Sequence, residues 1–415
     1  MSSRREFLKG VAGGLATVSG GVLVPRFAFA ADKFNLAQQI LPDGDIAESI
    51  LASLPGKKPL IKRTFRAPNY ETPVSYFNEM FTPNDAFFVR WHLSGIPNKL
   101  SAQDWRLKIG GDALQSPAEL TLDDLKKNYE HVEVAAVCQC SGNRRGFFQP
   151  HVAGVEWGYG AMGNARWTGV RLKDVLNKAG IKKEALEVTL NGAEAGVIDK
   201  TPDFIKSLPM WKALDENTIL AWEMNGAPLP YLNGFPVRLI VPGWTATYWT
   251  KMITELNVVS KPWDGFWMRV AYRIPIGKFP EVDRFVSQER PTDTMTPITD
   301  MVVNSLMTNI QEGQRFRHGQ AIEVKGIAWD SGRGIQLVEI STDGGYTWRD
   351  ATLGKDYGNY SWRQFSYRFQ PRKKGKYDIM ARASNRAGST QTFGLIWNPA
   401  GYHHNIVQKI TVEVA

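Results

Sequence analysis

Around residues 290–297 the chain changes from one kind of sequence to another, and that break excludes a single uniform fold. Before it, from about Val74 to Pro291, a stretch dense in Trp, Gly and Pro mixes strand-like runs with short helical ones. Trp105 to Ile109, Val132 to Val137 and Val237 to Val241 read as strands, Leu122 to Lys127 and Leu172 to Ala179 as helices. Without a repeating βαβ rhythm, that mixture predicts an α+β domain. The proline-rich stretch Arg290 to Pro297 reads as a linker. After it come short, alternating, turn-punctuated runs: Ala321 to Ala328, Gln336 to Ser341, Tyr346 to Ala351, Trp362 to Phe369, Gly375 to Ala383 and Ile406 to Val414. Asp343-Gly344-Gly345 is a hairpin signal, because glycine accepts the positive φ of a tight turn. Strands at this spacing predict an immunoglobulin-like β-sandwich.

The N-terminus reads as an address. Ser3-Arg4-Arg5-Glu6-Phe7-Leu8-Lys9 precedes a Gly- and Ala-rich, weakly apolar stretch that ends in Ala28-Phe29-Ala30, the pattern of a twin-arginine export signal with its cleavage site. The glycines of that stretch make it a poor helix. The expected divisions are a signal over 1–30, an extended arm over 31–73, the α+β domain over 74–291 and the sandwich over 297–415. Because this route exports folded proteins, it predicts a periplasmic protein that receives a cofactor before export.

Composition then narrows the classes. With 43% hydrophobic and 22% charged residues the chain is ordinary globular material, and no interior apolar run is long enough for a membrane span. The formal charge of +9 invites a nucleic-acid reading, but the expected signal carries +3 of it and leaves +6. The cysteines are only Cys138 and Cys140, which excludes a disulfide scaffold, an all-cysteine zinc site and a self-contained iron–sulfur cluster.

Val137-Cys138-Gln139-Cys140-Ser141-Gly142-Asn143-Arg144-Arg145-Gly146 ends an apolar strand in a thiol followed by two guanidiniums. Neighbouring cations favour a thiolate, so a metal ligand or nucleophile is one reading. Two small core residues are another, and a strained Cys138–Cys140 disulfide a third. Phe87 to Leu93 places Arg90 and His92 on one face of a strand by the two-residue period. Arg90, Arg145, Arg238 and Lys251 together suit an anionic ligand.

Cys140-Ser-Gly-Asn-Arg-Arg, the Arg90-x-His92 pair, Trp222-Glu223-Met224-Asn225-Gly226-Ala227-Pro228-Leu229-Pro230 and Gly234-Phe235-Pro236-Val237-Arg238, in this order, closely resemble the sulfite oxidase family of molybdenum enzymes. Within it they resemble the bacterial periplasmic sulfite dehydrogenase type. The resemblance implies a molybdopterin-binding catalytic domain followed by the immunoglobulin-like dimerisation domain. It implies molybdenum held by molybdopterin (a pyranopterin dithiolene), with Cys140 as the protein's metal ligand and Cys138 as a core thiol. It makes Arg90, Arg145 and Tyr272 catalytic, with His92 near the cofactor and Arg238 and Lys251 around the pterin phosphate. Two departures stand out. Asn233 occupies a position that is histidine in animal and plant members. Ala400, in Asn398-Pro399-Ala400-Gly401, replaces a substrate-binding arginine, so either Arg90 and Arg145 suffice or His403 or His404 substitutes.

The function implied is oxidation of sulfite to sulfate in the periplasm. No Cys-x-x-Cys-His stands in the sequence, so a separate c-type cytochrome or other acceptor is the expected electron partner, with a homodimer expected and no nucleic acid. The alternatives are a sulfane dehydrogenase subunit of a thiosulfate-oxidising complex, a methionine sulfoxide reductase, and a non-catalytic anion-binding module.

Overall fold

Two sheets share one core in the middle of the chain. A five-stranded sheet runs Lys206–Pro209, Glu187–Gly192, Ile253–Val259, Arg106–Gly110, Ala118–Thr121 in spatial order, all antiparallel except the central pair Ile253–Val259 with Arg106–Gly110. A second sheet orders Ala227–Pro228, Ile219–Met224, Met162–Arg171 and His131–Gln139, with Arg238–Ile240 also pairing to Ile219–Met224. Leu107, Ile109, Val188, Leu190, Leu256 and Val258 of the first meet Ala136, Ala165, Trp167, Leu220 and Leu239 of the second in the main hydrophobic core. Each large apolar side chain buried there contributes about 1.5–3 kcal/mol.

The computed structural model describes residues 51–280 and 282–415. The expected export signal and residues 31–50 of the expected arm lie outside them. Within the rest of that arm, Leu51–Ala52, Leu60–Thr64 and Asn69–Glu71 form a four-stranded sheet with Val89–Arg90. Met295–Pro297, at the end of the proline-rich stretch, pairs antiparallel with Arg273–Pro275.

Local chemistry sets the helices. Leu122–Asn128 starts at Thr121, whose hydroxyl accepts the Asp124 N–H at 3.0 Å while the Asp124 carboxylate accepts the Thr121 N–H at 2.9 Å. Leu172–Ala179 buries Leu172, Val175, Leu176 and Ala179, the stripe of a one-sided helix, and stops at Gly180 with φ 80°.

The C-terminal part is a β-sandwich. One sheet orders Asn304–Met307, Ile322–Trp329, Arg363–Phe369 and Thr352–Leu353; the other orders Arg315–Phe316, Gln408–Val414, Gly375–Asn385, Ile335–Ser341 and Arg349–Asp350. Ile322, Val324 and Phe365 of the first pack on Val338, Ile340, Ile379 and Val412 of the second. The expected tight hairpin at Asp343-Gly344-Gly345 is wider than its sequence implies. Pairing closes at Ile340 with Arg349, and the expected strand Tyr346 to Ala351 shrinks to Arg349–Asp350. The Asp343 carboxylate accepts the Thr347 N–H at 2.9 Å and the Thr347 hydroxyl at 2.7 Å, and these local bonds displace the ladder.

Candidate active site

Site residues converge where the first-domain sheets meet the C-terminal stretch 398–402. A partly open cavity is lined by Arg90, His92, Cys138, Cys140, Ser141, Asn233, Arg238, Thr247, Lys251 and Tyr272, with Phe87, Phe88, Leu232 and Ala246 as its apolar wall. Six of the seven residues singled out from the sequence therefore share one cavity. The seventh, Arg145, lines a wider outer cleft together with Ala400 and Tyr402. Arg90 and Tyr272 line both spaces and so mark the passage between them.

Cys140 directly follows His131–Gln139 and opens the next turn, free and 7% exposed, its N–H bonded to the Ala161 carbonyl at 2.9 Å. Cys138 is a free thiol too, so no disulfide joins the pair; it is a core thiol, and it also forms cavity wall. Burial pushes the Cys138 thiol up to about 11, and Arg238, whose Nη2 lies 3.8 Å from its sulfur, only partly opposes that.

Arg90 lies on the short strand Val89–Arg90, paired to Asn69–Glu71. The strand ends there instead of running through Leu93 as its pattern predicts, because the N–H groups of His92 and Leu93, just past Trp91, turn to the Glu194 carboxylate at 3.1 and 3.0 Å. The Arg90 and His92 side chains still reach the same cavity. Arg90 donates to the Trp91 carbonyl, to Asn69 Oδ1 at 3.3 Å and to the Tyr272 hydroxyl oxygen at 3.2 Å. Burial opposes its charge, yet Tyr272, Cys140 and Glu194 outweigh burial and hold it more firmly protonated than a free arginine. Tyr272 has φ 58°, a left-handed backbone that is costly for a bulky residue and concentrates at functional sites. Burial raises its pKa, with Arg90 pulling the other way.

Glu194 is the residue that sequence reading missed. Its buried carboxylate lies 3.7 Å from His92 Nδ1 and 3.8 Å from Lys251 Nζ. Burial works against its charge, but Lys251 and His92 hold it down at about 2. Burial likewise brings Lys251 to about 8 and, with Arg90, keeps His92 neutral, its ring stacked on Phe204 at 3.4 Å. The only sequence signal was an acid between small residues, Gly192-Ala193-Glu194-Ala195-Gly196.

Arg145 is held by backbone. Its Nε donates to the Ala400 carbonyl at 3.0 Å and its Nη1 to the Val155 carbonyl at 3.3 Å, while its guanidinium lies 5.2 Å from the Tyr402 ring. Tyr402 in turn stacks on Tyr272 at 5.8 Å. The stretch that lacks the expected arginine thus positions another one. His403 and His404 line neither space; both are buried, with burial bringing each down to about 3. Arg145 and Arg90, not these histidines, supply the cations at the passage.

Residues 93–267 match the oxidoreductase molybdopterin binding domain, and residues 295–415 the Mo-co oxidoreductase dimerisation domain. The mitochondrial sulfite oxidase of Mus musculus is 33% identical over 436 residues, which cover 96% of this chain and 77% of that protein. The chain belongs to the sulfite oxidase family of molybdopterin oxidoreductases. Arabidopsis thaliana sulfite oxidase is similar as well, 29% identical over 84% of this chain and 92% of its own. The sulfane dehydrogenase SoxCD from Paracoccus pantotrophus shares the fold, with a TM-score of 0.70 over 100% of both chains at 21% identity. The chain spans 63% to 77% of the length of three animal sulfite oxidases.

The family's molybdopterin-binding domain implies the molybdenum–molybdopterin cofactor. The cavity fits it. Ser141 Oγ, Thr247 Oγ1 and Arg238 Nε are buried without a hydrogen-bond partner among the described residues, a cost of about 1–3 kcal/mol each unless a polar ligand takes them up. Arg238 and Lys251 supply charge for a phosphate, and Cys140 a soft sulfur donor. No cluster of three His, Cys, Asp or Glu side chains stands among the described residues, so a metal at Cys140 needs the remaining ligands that a dithiolene brings.

Proposed function

We propose that this protein oxidises sulfite to sulfate in the periplasm, using molybdenum-bound molybdopterin, and passes the electrons to an external carrier such as a c-type cytochrome. The observation that carries this reading is the passage: Arg145 lines the outer cleft, Arg90 and Tyr272 stand at its inner end, and Cys140 lies in the cavity behind them. Cys140 would ligate the metal, and Arg238, Lys251 and His92 would hold the pterin. When bound, the cofactor supplies the two-electron redox and oxygen-transfer chemistry that side chains lack.

The chain's own residues do the rest. Arg145 and Arg90 draw in and neutralise a small dianion, and such fixed cations act most strongly in a dry pocket. The Tyr272 hydroxyl oxygen accepts from Arg90, which leaves its own proton free to donate to an oxygen of substrate or product. His92, neutral and stacked on Phe204, adds no charge that would trap the sulfate. Glu194 keeps Lys251 and His92 in place.

A second reading, a sulfane dehydrogenase subunit, is favoured by one observation. With Ala400 small, the cleft outside Arg90 is open enough for sulfur carried on a larger molecule. Export by the twin-arginine route, a homodimer built through the C-terminal domain and a separate acceptor complete the proposal. Among the described residues no helix is long and apolar enough to cross a membrane.

The deciding assay follows ferricyanide or cytochrome c reduction by the molybdenum-loaded protein with sulfite, beside Cys140→Ser. Sulfite-dependent reduction in the wild type and at least about a hundredfold loss in the variant are expected. A fully loaded wild type inert to sulfite sinks the main reading, and turnover of a persulfide by that protein installs the second. Activity retained in Cys140→Ser sinks the ligand assignment.

A further inference from the structure

Lys57 lies before the segment that matches the molybdopterin-binding domain, in the turn between Leu51–Ala52 and Leu60–Thr64. Its ammonium nevertheless reaches the rear wall of the cavity. It donates to the Asn84 carbonyl at 2.7 Å, to the Phe87 carbonyl at 3.1 Å and to Asn233 Oδ1, so all three of its protons are used. Phe87 and Asn233 line the cavity. Asn233 passes the restraint on: its Nδ2 donates to the Phe88 carbonyl at 2.9 Å, and its own carbonyl accepts Arg238 Nη1 at 2.9 Å. The turn is anchored from both sides, by Lys57 N–H to the Leu54 carbonyl and Lys58 N–H to the Asp85 carbonyl, each at 2.9 Å.

We infer that Lys57 is a positioning residue for cofactor retention, which ties the N-terminal sheet across the cavity wall and fixes Asn233 and, through it, Arg238. Three separate pieces of chain (the turn at 54–57, the segment 84–88 and the 3-10 turn Tyr231–Asn233) meet at this one ammonium. Without it Asn233 Oδ1 and the Phe87 carbonyl lose their shared donor, and the wall that holds Arg238 loosens. Lys58, one residue on, points outward to an exposed pair with Asp85 at 3.4 Å and has no such reach. The inference rests on the cofactor and not on the identity of the substrate.

The test uses holoprotein of the wild type, Lys57→Met, Lys57→Gln and the control Lys58→Met. Each is held in cofactor-free buffer without substrate, and released pterin is followed by its fluorescence. Lys57→Met is expected to release pterin roughly tenfold faster than the wild type, with Lys57→Gln between them and Lys58→Met unchanged. Apoprotein melting points are measured in parallel. Release at the wild-type rate from both Lys57 variants overturns the inference, and so does a lowered apoprotein melting point with unchanged release, which makes Lys57 a folding brace alone. If Lys57→Met does not fold, Lys57→Gln decides by the same comparison. A wild type that carries no pterin overturns the cofactor itself, whereas failure to oxidise sulfite leaves the release result standing.

Discussion

Glu194 shows how much one carboxylate can organise. It takes two backbone N–H groups, of His92 and Leu93, and faces Lys251 and His92 from within the protein. Burial works against its charge, yet Lys251 and His92 hold it at about 2 against an ordinary value of 4.5, so it contributes stability that is fully present above pH 4.5. Because the folded pKa is depressed, that stability is lost as pH falls from 4.5 toward 2. Glu194→Gln should therefore melt lower at pH 7 and show a flatter decline through that acid window, as read by thermal unfolding across pH. A parallel decline in variant and wild type would remove Glu194 from this role. His92, Arg90 and Cys140 were visible in the sequence because they sit in ordered motifs. Glu194 was not, since an acid between small residues gives no sign of partners that lie as far off in the chain as His92 and Lys251.

At the scale of the element, the turn after Cys140 is built around a guanidinium. Asn143 N–H bonds the Cys140 carbonyl and Arg145 N–H the Gly142 carbonyl, so the chain folds back and places Arg145 against its own glycine. A Cβ on Gly142 would fall 2.6 Å from the Arg145 guanidinium, and one on Gly154 2.8 Å from it. Gly142 has an ordinary backbone and its obstacle is the far end of a long side chain, so Gly142→Ala should fold while displacing Arg145. The expected result is a rise of roughly tenfold in KM for the anionic substrate, with the melting temperature nearly unchanged. An unaltered KM would show that Arg145 does not meet the substrate. At Thr121, loss of the cap in Thr121→Ala should cost about 1 kcal/mol in denaturant unfolding without touching activity. The helices Leu122–Asn128 and Leu172–Ala179 and the sandwich strands Ile322–Trp329, Arg363–Phe369 and Gly375–Asn385 were legible from apolar periodicity. The width of the hairpin at Asp343 was not, because side-chain bonds to Thr347 compete with the ladder.

The whole molecule is stitched through residues that read, in sequence, like spare parts of the site. Arg144, twin of Arg145, is 1% exposed and donates to Asn304 Oδ1 at 2.6 Å and to the Ser305 carbonyl at 2.8 Å, on the first strand of the sandwich. Trp329 Nε1 donates to Gln139 Oε1 at 2.6 Å, one residue before Cys140. The sandwich therefore braces the site as well as following it in the chain. Arg144→Ala should destabilise the protein by about 2–3 kcal/mol in denaturant unfolding, since it leaves buried acceptors unpaired. Unchanged stability would mean the two halves are joined elsewhere. The exposed cationic approach makes a further global prediction: KM for the anionic substrate should climb with ionic strength, and a salt-independent KM would mean that steering plays no part.

By itself the sequence determined the succession of an α+β domain and a β-sandwich, which follows from periodicity and survives without knowledge of the fold, and a set of ordered motifs whose resemblance to the sulfite oxidase family singled out Cys140 beside the cations Arg90, Arg145, Arg238 and Lys251. The tertiary structure alone decided which arginine meets the outer cleft and which meets the sandwich, that Ala400 contributes a carbonyl and Tyr402 a ring, that Glu194 pairs with His92 and Lys251, and that Lys57 reaches Asn233. Each of those depends on contacts between distant segments, and a side chain's charge and reach acquire a role only when packing sets what stands within a few ångströms of it.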